Sequence, residues 1–231
     1  MTDALNKLVA LLELETLEET LFRGQSQDLG FPQLYGGQVL GQALAAAART
    51  VPDERRPHSQ HGYFLRPGDP HRPVSHQRAM PNVATPEALL ESGDAKHDRF
   101  PGHPIEFLHL TGNPDNGTPA GQCLWFRLSG TLPDDPALHR HLLSYASDFN
   151  LLTTSLIPHG IEYRDPKLRI ASLDHALWLH QDTRLDDWLL YVIDSPWAGG
   201  ARGLARGHIY SRDGRLVAST AQEGLTRYSQ D

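Results

Sequence analysis

The stretch "DPALHRHLLSYASDFNLL", residues 135–152, has the pattern of an amphipathic helix. Asp135 can accept hydrogen bonds from the free amides of a first turn, and Pro136 fits the first helical position because that position needs no amide hydrogen. Apolar side chains then recur at spacings of three and four, at Leu138, Leu142, Tyr145, Phe149 and Leu152. This stripe predicts a helix from residue 136 to about residue 153 with one buried face.

Asp148 lies at the margin of the apolar stripe, where we expect it to be partly buried. Partial burial among apolar neighbours would make its carboxylate a stronger proton acceptor, as a general base for water activation requires. The alternative is an acid at the helix edge that is bonded to a neighbour. Asp148 is therefore a candidate catalytic residue.

Strand patterns surround this helix. They predict strands at 122–130, about 168–180, 187–195, 200–211 and 215–227. The Asp213-Gly214 pair between the last two is a strong hairpin signal, because tight hairpin turns need residues that adopt positive φ. A helix followed by antiparallel strands predicts an α+β domain in which a sheet wraps around the helix.

The N-terminal half shows a weaker version of this order, with a short strand from about Leu21, a helix at 36–50 and a strand at 58–65. Between these elements and residue 120, only "PIEFLHL" has a strand pattern, and so long a loop is unusual in a compact domain. We predict an N-terminal domain with a linker at 1–110 and a C-terminal domain at 111–231. Their shared order of elements suggests a divergent duplication.

Two polar residues on the predicted strands are further candidates. In "IASLDHALWLH", residues 170–180, strand alternation places Ser172 on one face and His175 on the other. Gln222 lies in "VASTAQEG" on the last strand. A hydroxyl and an amide that share a pocket can position a water or a carbonyl oxygen. Without a pocket, Ser172 is a packing residue and Gln222 a solvated strand residue.

Basic and small side chains alternate in "ARGLARGH", residues 201–208. Arg202 and Arg206 share one face and are candidates for binding substrate phosphates. Gly203 and Gly207 on the other face would allow close packing against a helix. Surface salt bridges are an equally good account of the arginines.

Composition excludes several classes of protein. The net charge of -7 gives no reason to expect nucleic acid or an anionic membrane as partner. The single cysteine, Cys123, excludes an intramolecular disulfide and suits a reducing compartment. No run reaches the roughly 18 apolar residues of a membrane span, and the first residues lack the features of a secretory signal. We predict a soluble, cytoplasmic protein.

The sequence lacks the common short motifs for a nucleophilic serine and for nucleotide cofactors. It has no G-x-S-x-G nucleophile elbow, no P-loop and no G-x-G-x-x-G turn. His58 and His61 would point to opposite faces of a strand, so a shared metal is not expected. We predict no metal and no organic cofactor.

Six blocks of the sequence, in order, resemble the acyl-CoA thioesterase II family, whose members are called TesB-like. The blocks extend over nearly the whole chain and are "LFRGQSQDLG", "YGGQVLGQAL", "HGYFLRPGD", "SYASDFNLL", "IASLDHALWLH" and "VASTAQEG". The resemblance implies an α+β double hot-dog fold, in which each of two fused domains is a long helix wrapped by an antiparallel sheet. It also implies hydrolysis of fatty acyl-CoA to free fatty acid and CoA, and a homo-oligomer, either a dimer or a tetramer.

The resemblance also implies a catalytic site. In this family an Asp on the second hot-dog helix, a Thr or Ser on the next strand and a Gln near the C-terminus hold the hydrolytic water, and they match Asp148, Ser172 and Gln222. Asp148 would act as base, Ser172 and Gln222 would orient the water, and Gln222 or a helix-terminal amide would stabilise the oxyanion. Ser172 keeps the hydroxyl of the more common Thr but lacks the methyl group that restricts its rotamer.

One departure from the family lies at Val74 and Ser75. Family members carry further strands at this point, on the order of fifty residues, which complete the first hot dog. Either the chain has lost them, or its numbering runs on across a segment missing from the sequence. The second reading is favoured, because a sheet with exposed edges and an incomplete core should not persist.

Two other functions fit parts of the pattern. A hot-dog hydratase needs an Asp and a His close together on the catalytic helix, whereas the next histidine after Asp148 is His159, beyond the predicted helix. A non-catalytic acyl-CoA-binding or scaffold protein would bind ligand without turnover. The final "SQD" is not a peroxisomal address, which agrees with the cytoplasm.

Overall fold

The computed structural model describes residues 3–26, 35–52, 54–55, 57, 59–63, 76–93, 95–99, 104–110 and 121–229. The chain divides into two compact units, Met1–Val74 and Ser75–Asp231. Val74 and Ser75, where the departure from the family falls, lie outside the described residues.

The first unit contains two helices and a small hairpin. Its elements are α1 (Asp3–Leu11), β1 (Glu15–Glu18), β2 (Leu21–Arg23) and α2 (Gly36–Ala48). The predicted helix at 36–50 is thus confirmed. Gln42 of α2 donates its side-chain amide to the carbonyl oxygens of Leu11 and Gln25, which ties α2 to the segments before it. Of the predicted strand at 58–65, residues 59–63 are described and form no strand.

The second unit is one antiparallel sheet of eight strands with helices on both faces. Its elements are α3 (Pro86–Ser92), β3 (Lys96–Arg99), β4 (Ile105–His109), β5 (Gly121–Leu128), α4 (Pro136–Ala146), a 3-10 helix (Leu152–His159), β6 (Leu168–Ser172), β7 (Ala176–Leu179), β8 (Leu189–Gly199), β9 (Arg202–Ser211) and β10 (Leu216–Tyr228). The strand order is β3-β4-β5-β8-β9-β10-β6, and β7 also pairs with β10. The Asp213-Gly214 turn joins β9 and β10 as predicted, with Gly214 at φ 84°.

Strands β3 and β4 belong to this second sheet. β4 pairs with β5 in register from Ile105 opposite Leu128 to His109 opposite Leu124. The sequence predicts residues 96–109 to be part of the N-terminal domain and its linker, whereas the observed division falls at Val74 and Ser75. The difference arises because β4 pairs directly with β5, so that β3 and β4 belong to the same sheet as the C-terminal strands.

The sheet has an apolar core on each face, since β5 and β8 carry continuous buried apolar runs at 123–126 and 189–193. One core joins the sheet to α4 and the turn after it, and includes Phe107, Phe126, Leu143, Leu151 and Ile209. The other core lies against α3 and includes Leu89, Trp125, Trp188, Leu190 and Tyr210. Sheets buried on both faces are expected to carry continuous apolar runs of this kind.

Helix α4 begins as predicted and ends earlier. The Asp135 carboxylate accepts a hydrogen bond from the amide of Ala137 at 2.9 Å, and Pro136 is the first helical residue. The helix stops at Ala146 instead of about residue 153, and a turn separates it from the 3-10 helix. Asp148 therefore lies in the turn and not on the helix.

The buried face of α4 is also rotated from the predicted stripe. His139, Leu143 and Ala146 are its buried residues, whereas Tyr145 is 52% exposed. His139 is held inside because its Nδ1 accepts the amide hydrogen of Leu185 at 3.2 Å. A polar side chain with a buried partner thus replaces an apolar one on the inner face.

Candidate active site

Gln222 of β10 is the centre of a polar cluster. Its side chain is buried, and the residue is 1% exposed. The amide nitrogen lies 2.5 Å from Asp148 Oδ1 and 3.1 Å from Ser172 Oγ. The structure therefore brings the three predicted catalytic residues together. The alternative reading of Gln222, a solvated strand residue, is wrong.

The turn that carries Asp148 is fixed on both sides. Before it, the Tyr191 hydroxyl donates to the carbonyl oxygen of Ser147 at 2.8 Å. After it, Asn150 adopts a left-handed backbone with φ 64°, and its carbonyl oxygen accepts hydrogen bonds from Gln122 Nε2 at 2.9 Å and Thr154 Oγ1 at 2.8 Å. These bonds hold the turn in one conformation.

The carboxylate of Asp148 is more exposed than predicted. Its side chain is 61% exposed, so the expected partial burial is wrong. The reason is the early end of α4, which turns residue 148 away from the core. An exposed carboxylate that is hydrogen-bonded on one side is accessible to water and substrate.

Tyr191 supports this turn from beneath. It is 1% exposed, and burial raises the pKa of its phenol well above the ordinary value. The phenol remains protonated at neutral pH and therefore keeps its hydrogen for the Ser147 carbonyl. Its oxygen also lies 2.8 Å from Thr220 Oγ1.

Ser172 is the last residue of β6, and the strand breaks directly after it. Ser172 pairs with Gly224 of β10, while the amides of Leu173 and Asp174 both point to the carbonyl oxygen of Glu223. The Asp174 carboxylate accepts the amide hydrogen of Glu223 at 2.7 Å, which stabilises the break. The continuous strand predicted over 168–180 is therefore wrong, and β7 is a separate strand.

The break brings His175 into the cluster. Its Nδ1 lies 3.2 Å from Gln222 Nε2 and 3.6 Å from Asp148 Oδ1, and its Nε2 lies 2.9 Å from Ser147 Oγ. Strand alternation had placed this residue on the face opposite Ser172. The signal for the break was Asp174, because aspartate is rare in strands and common in turns.

The cluster opens into a cleft of about 840 Å³, within the range of small-molecule sites. Asp148, Ser172 and Gln222 all line it. Its apolar lining includes Phe149, Leu152 and Ile170. Its charged lining includes Lys96, Asp98, Glu162 and Arg164.

Arg202 and Arg206 lie apart from this lining. Arg202 Nε is 3.0 Å from Glu223 Oε1. Arg206 makes two hydrogen bonds to the carboxylate of Asp194, at 3.0 and 2.7 Å. The arrangement favours the alternative account of the two arginines as surface salt bridges.

The glycines beside these arginines pack closely, and Gly203 does so against a helix as predicted. A Cβ at Gly203 would overlap the Ser155 side chain of the 3-10 helix, and a Cβ at Gly207 would overlap the ring of Tyr191. Gly203 thus lets the 3-10 helix approach the sheet closely, whereas Gly207 packs against side chains of the neighbouring strands β8 and β10 and not against a helix.

Three further observations bear on the predicted classes. Among the described residues, no three His, Cys, Asp or Glu side chains are grouped closely enough to hold a metal ion. No helix in the described part of the chain is long and apolar enough to cross a membrane. His159, the histidine considered for a hydratase, lines a different and smaller cavity from Asp148.

Two family models match the chain. The model described as acyl-CoA thioesterase matches residues 95–225, and the model described as acyl-CoA thioesterase N-terminal domain matches residues 25–77. The longer match contains the whole polar cluster.

Curated relatives match over most of their length. Acyl-CoA thioesterase 2 of Haemophilus influenzae is 36% identical over 286 aligned positions that cover all of both chains. Because this chain has only 231 residues, the relative carries segments that this chain lacks. Human acyl-coenzyme A thioesterase 8 is 32% identical, with 95% of this chain and 88% of the relative covered.

Solved structures agree with the fold. The acyl-CoA thioesterase II TesB2 from Mycobacterium marinum matches with a TM-score of 0.60 and 32% identity, over 96% of this chain and 98% of that chain. A hot-dog protein of unknown function from Alicyclobacillus acidocaldarius matches with a TM-score of 0.51 and 19% identity, over 69% of this chain and 59% of that chain. The α+β double hot-dog fold is thereby confirmed. The chain belongs to the acyl-CoA thioesterase family.

Proposed function

We propose that this protein hydrolyses fatty acyl-CoA thioesters to free fatty acid and CoA, with Asp148 as general base and with Ser172 and Gln222 positioning the attacking water. The proposal rests on one observation: these three side chains line the same cleft, and the Gln222 amide contacts the other two. They come from separate parts of the chain, and the family match includes all three.

The reaction needs no covalent intermediate on the protein. Asp148 removes a proton from water as the water oxygen bonds to the thioester carbonyl carbon. The tetrahedral intermediate then collapses, the carbon–sulfur bond breaks, and the CoA thiolate leaves and takes up the proton. Ser172 is not placed as a nucleophile, because its Oγ accepts a hydrogen bond from Gln222 Nε2 and, among the described residues, no base accepts the hydroxyl hydrogen.

The cleft offers groups for both ends of an acyl-CoA. Phe149, Leu152 and Ile170 present apolar surface for an acyl chain. Lys96 and Arg164 are the basic residues of the lining and can meet phosphates of CoA. They are better placed for this role than Arg202 and Arg206, which are engaged with carboxylates.

The proposal includes a cellular location and an oligomeric state. A cytoplasmic location suits its one cysteine, Cys123, which is buried in the core. A homo-oligomer, dimer or tetramer, is the expected state in solution, and light scattering of the purified protein measures it.

Thiol release from short, medium and long acyl-CoAs tests the proposed hydrolysis. Wild-type protein should turn over, and Asp148→Asn should lower kcat by about a hundredfold or more, as expected for loss of a general base. Asp182→Asn is the matched control, because Asp182 is an exposed carboxylate that pairs with Arg140 outside the cleft.

The same assay separates hydrolysis from binding alone. Folded wild-type protein that binds acyl-CoA without releasing thiol would contradict the proposal and support a non-catalytic binding protein. Equal kcat values for wild type and Asp148→Asn would contradict the assignment of the base.

A further inference from the structure

The geometry points to His175 as a positioning residue that fixes the amide of Gln222 and so leaves the Ser172 hydroxyl available to the attacking water. The inference deepens the proposed hydrolysis and rests on it for the role of the water. His175 is placed for this task by the break after β6, and its side chain is 24% exposed.

The amide nitrogen of Gln222 has more acceptors than hydrogens. Asp148 Oδ1 at 2.5 Å, Ser172 Oγ at 3.1 Å and His175 Nδ1 at 3.2 Å surround it, yet it carries two hydrogens. The carboxylate takes one of them, since it is the closest and the charged acceptor. Ser172 and His175 compete for the other.

Nδ1 of His175 can accept this hydrogen only in the tautomer that leaves it a lone pair. Ser147 Oγ donates its single hydrogen to the carbonyl oxygen of Ser144 at 2.9 Å. With that hydrogen engaged, we assign the ring as the donor at the 2.9 Å contact between Ser147 Oγ and His175 Nε2. The hydrogen of neutral His175 is then on Nε2, and Nδ1 presents a lone pair to Gln222.

The opposite orientation of the Gln222 amide is unfavourable. It would place the amide oxygen 2.5 Å from the Asp148 carboxylate and against the lone pair of Nδ1. In the observed orientation the amide oxygen is buried and has no hydrogen-bond partner among the described residues, which is unfavourable. The nitrogen's acceptors, His175 among them, must therefore outweigh this cost and hold the amide in place.

The orientation of the Gln222 amide determines what the Ser172 hydroxyl can bind. When Nδ1 accepts the second amide hydrogen, the Ser172 hydroxyl no longer serves as the acceptor for Gln222. It is then free to bond the water or the developing oxyanion in the cleft that it lines. Without His175, Gln222 would turn its second hydrogen to Ser172 and would itself be less firmly held.

Two nearly isosteric variants separate the two ring nitrogens. His175→Asn places an amide oxygen near the position of Nδ1, whereas His175→Gln reaches the position of Nε2 and leaves Nδ1 without a replacement. We expect His175→Leu and His175→Gln to lower kcat by about tenfold or more, with KM changed less than about twofold, because positioning and not binding is lost. His175→Asn should retain kcat to within about threefold.

A double-mutant cycle tests whether His175 acts through Gln222. In a Gln222→Met background, adding His175→Leu should change kcat by less than about twofold, because the group to be positioned is already gone. Losses that multiply, equal losses for the Asn and Gln variants, or an unchanged kcat in His175→Leu would each overturn the inference. Thermal melts identify a variant that fails to fold. If His175→Leu does not fold, the comparison of kcat between His175→Asn and His175→Gln decides the test.

The tautomer is measured independently of turnover. Nitrogen-15 NMR of the wild-type protein near pH 8, with the signal assigned by its loss in His175→Asn, should show protonation at Nε2. Protonation at Nδ1 would overturn the inference. Absence of thiol release in wild type would contradict the proposed hydrolysis, while the NMR result would still decide how His175 meets Gln222.

Discussion

The amide nitrogen of Gln222 lies 2.5 Å from a carboxylate oxygen of Asp148, although the two residues are 74 positions apart in the sequence. The bond engages Oδ1 and fixes the plane of the carboxylate, while Oδ2 remains for a proton from water. A hydrogen bond to an ionised acceptor is about twice as strong as one between neutral groups. The pairing therefore orients the base that we propose for hydrolysis.

Replacing Gln222 by Met, which has similar length and no N–H group, should lower kcat by about a hundredfold. The carboxylate of Asp148 would lose its fixed orientation, and the buried site would gain an apolar side chain. The measurement is thiol release at saturating acyl-CoA. Gln181→Met is the matched control, since Gln181 is an exposed amide that accepts from Arg215 away from the cleft. A kcat equal to that of the control would show that the bond has no part in catalysis.

We expect Ser172→Ala to lower kcat by about tenfold or more. Ser172→Thr should preserve or raise kcat. Ala removes the hydroxyl, whereas Thr keeps it and adds a methyl group that restricts the rotamer. The pair is measured side by side in the thiol-release assay. If Ala and Thr lowered kcat equally, steric fit at the end of β6 would explain the effect and the hydroxyl would have no role.

Several individual elements could be predicted because they rest on local patterns. The Asp135 cap, the Asp213-Gly214 turn and the apolar runs of β5 and β8 each have a direct physical reading in sequence. The small face of β9 was predicted in the same way, from glycines that alternate with arginines. Ser172 and Gln222 were assigned through a family resemblance, since neither has a distinctive pattern alone.

The positions of Asp148 and His175 were not predictable from periodicity. Asp148 lies in a turn because hydrogen bonds from Tyr191 and Gln122, both distant in sequence, hold the backbone on either side of it. His175 reaches the cluster because backbone bonds to Glu223 interrupt the strand. Both features depend on contacts with residues distant in sequence, which the periodicity of a helix or strand cannot predict.

Removing the positive charge of Lys96 or Arg164 by substitution with Met should raise KM for acyl-CoA, each up to roughly fivefold, with little change in kcat. The reason is that these side chains line the cleft and can pair with the phosphates of the substrate. The experiment compares KM at low and high salt, and screening should reduce the difference from wild type.

Arg206→Met is the comparison for these variants, because Arg206 is a basic side chain that pairs with Asp194 outside the cleft. It should leave KM within about twofold of wild type. A larger rise in KM for Arg206→Met than for the two cleft variants would contradict the prediction. It would indicate that the basic face of β9 binds the substrate phosphates.

Adding a methyl group at Gly207 should destabilise the protein by about 1–3 kcal/mol, the usual cost of overpacking. The new Cβ would overlap the Tyr191 ring and the Thr220 hydroxyl. Because Tyr191 anchors the carbonyl of Ser147, a displaced ring should also lower kcat in protein that remains folded. Urea denaturation and thiol release measure the two effects. Unchanged stability would mean that Tyr191 can shift without cost.

The last prediction concerns stability in acid, which depends on Asp186. Its carboxylate receives two hydrogen bonds from Arg184, at 3.0 and 2.9 Å, and one from the amide of Leu132 at 2.9 Å. The hydrogen bonds from Arg184, the main cause, lower the pKa of Asp186 to about 2. Because the pKa is lower in the folded state than the ordinary value of 3.8, this stabilisation is fully present above about pH 4.

The stabilisation should disappear as the pH falls from about 4 to about 2, where Asp186 takes up a proton in the folded state. Asp186→Asn should therefore lower the free energy of unfolding by about 1 kcal/mol at pH 7, a value discounted for solvent screening because the Arg184 side chain is 42% exposed. Its difference from wild type should shrink toward zero near pH 2. Urea denaturation of both proteins across this range measures the difference. One that stayed constant down to pH 2 would show that the loss comes from packing, since lost packing does not depend on the protonation of residue 186.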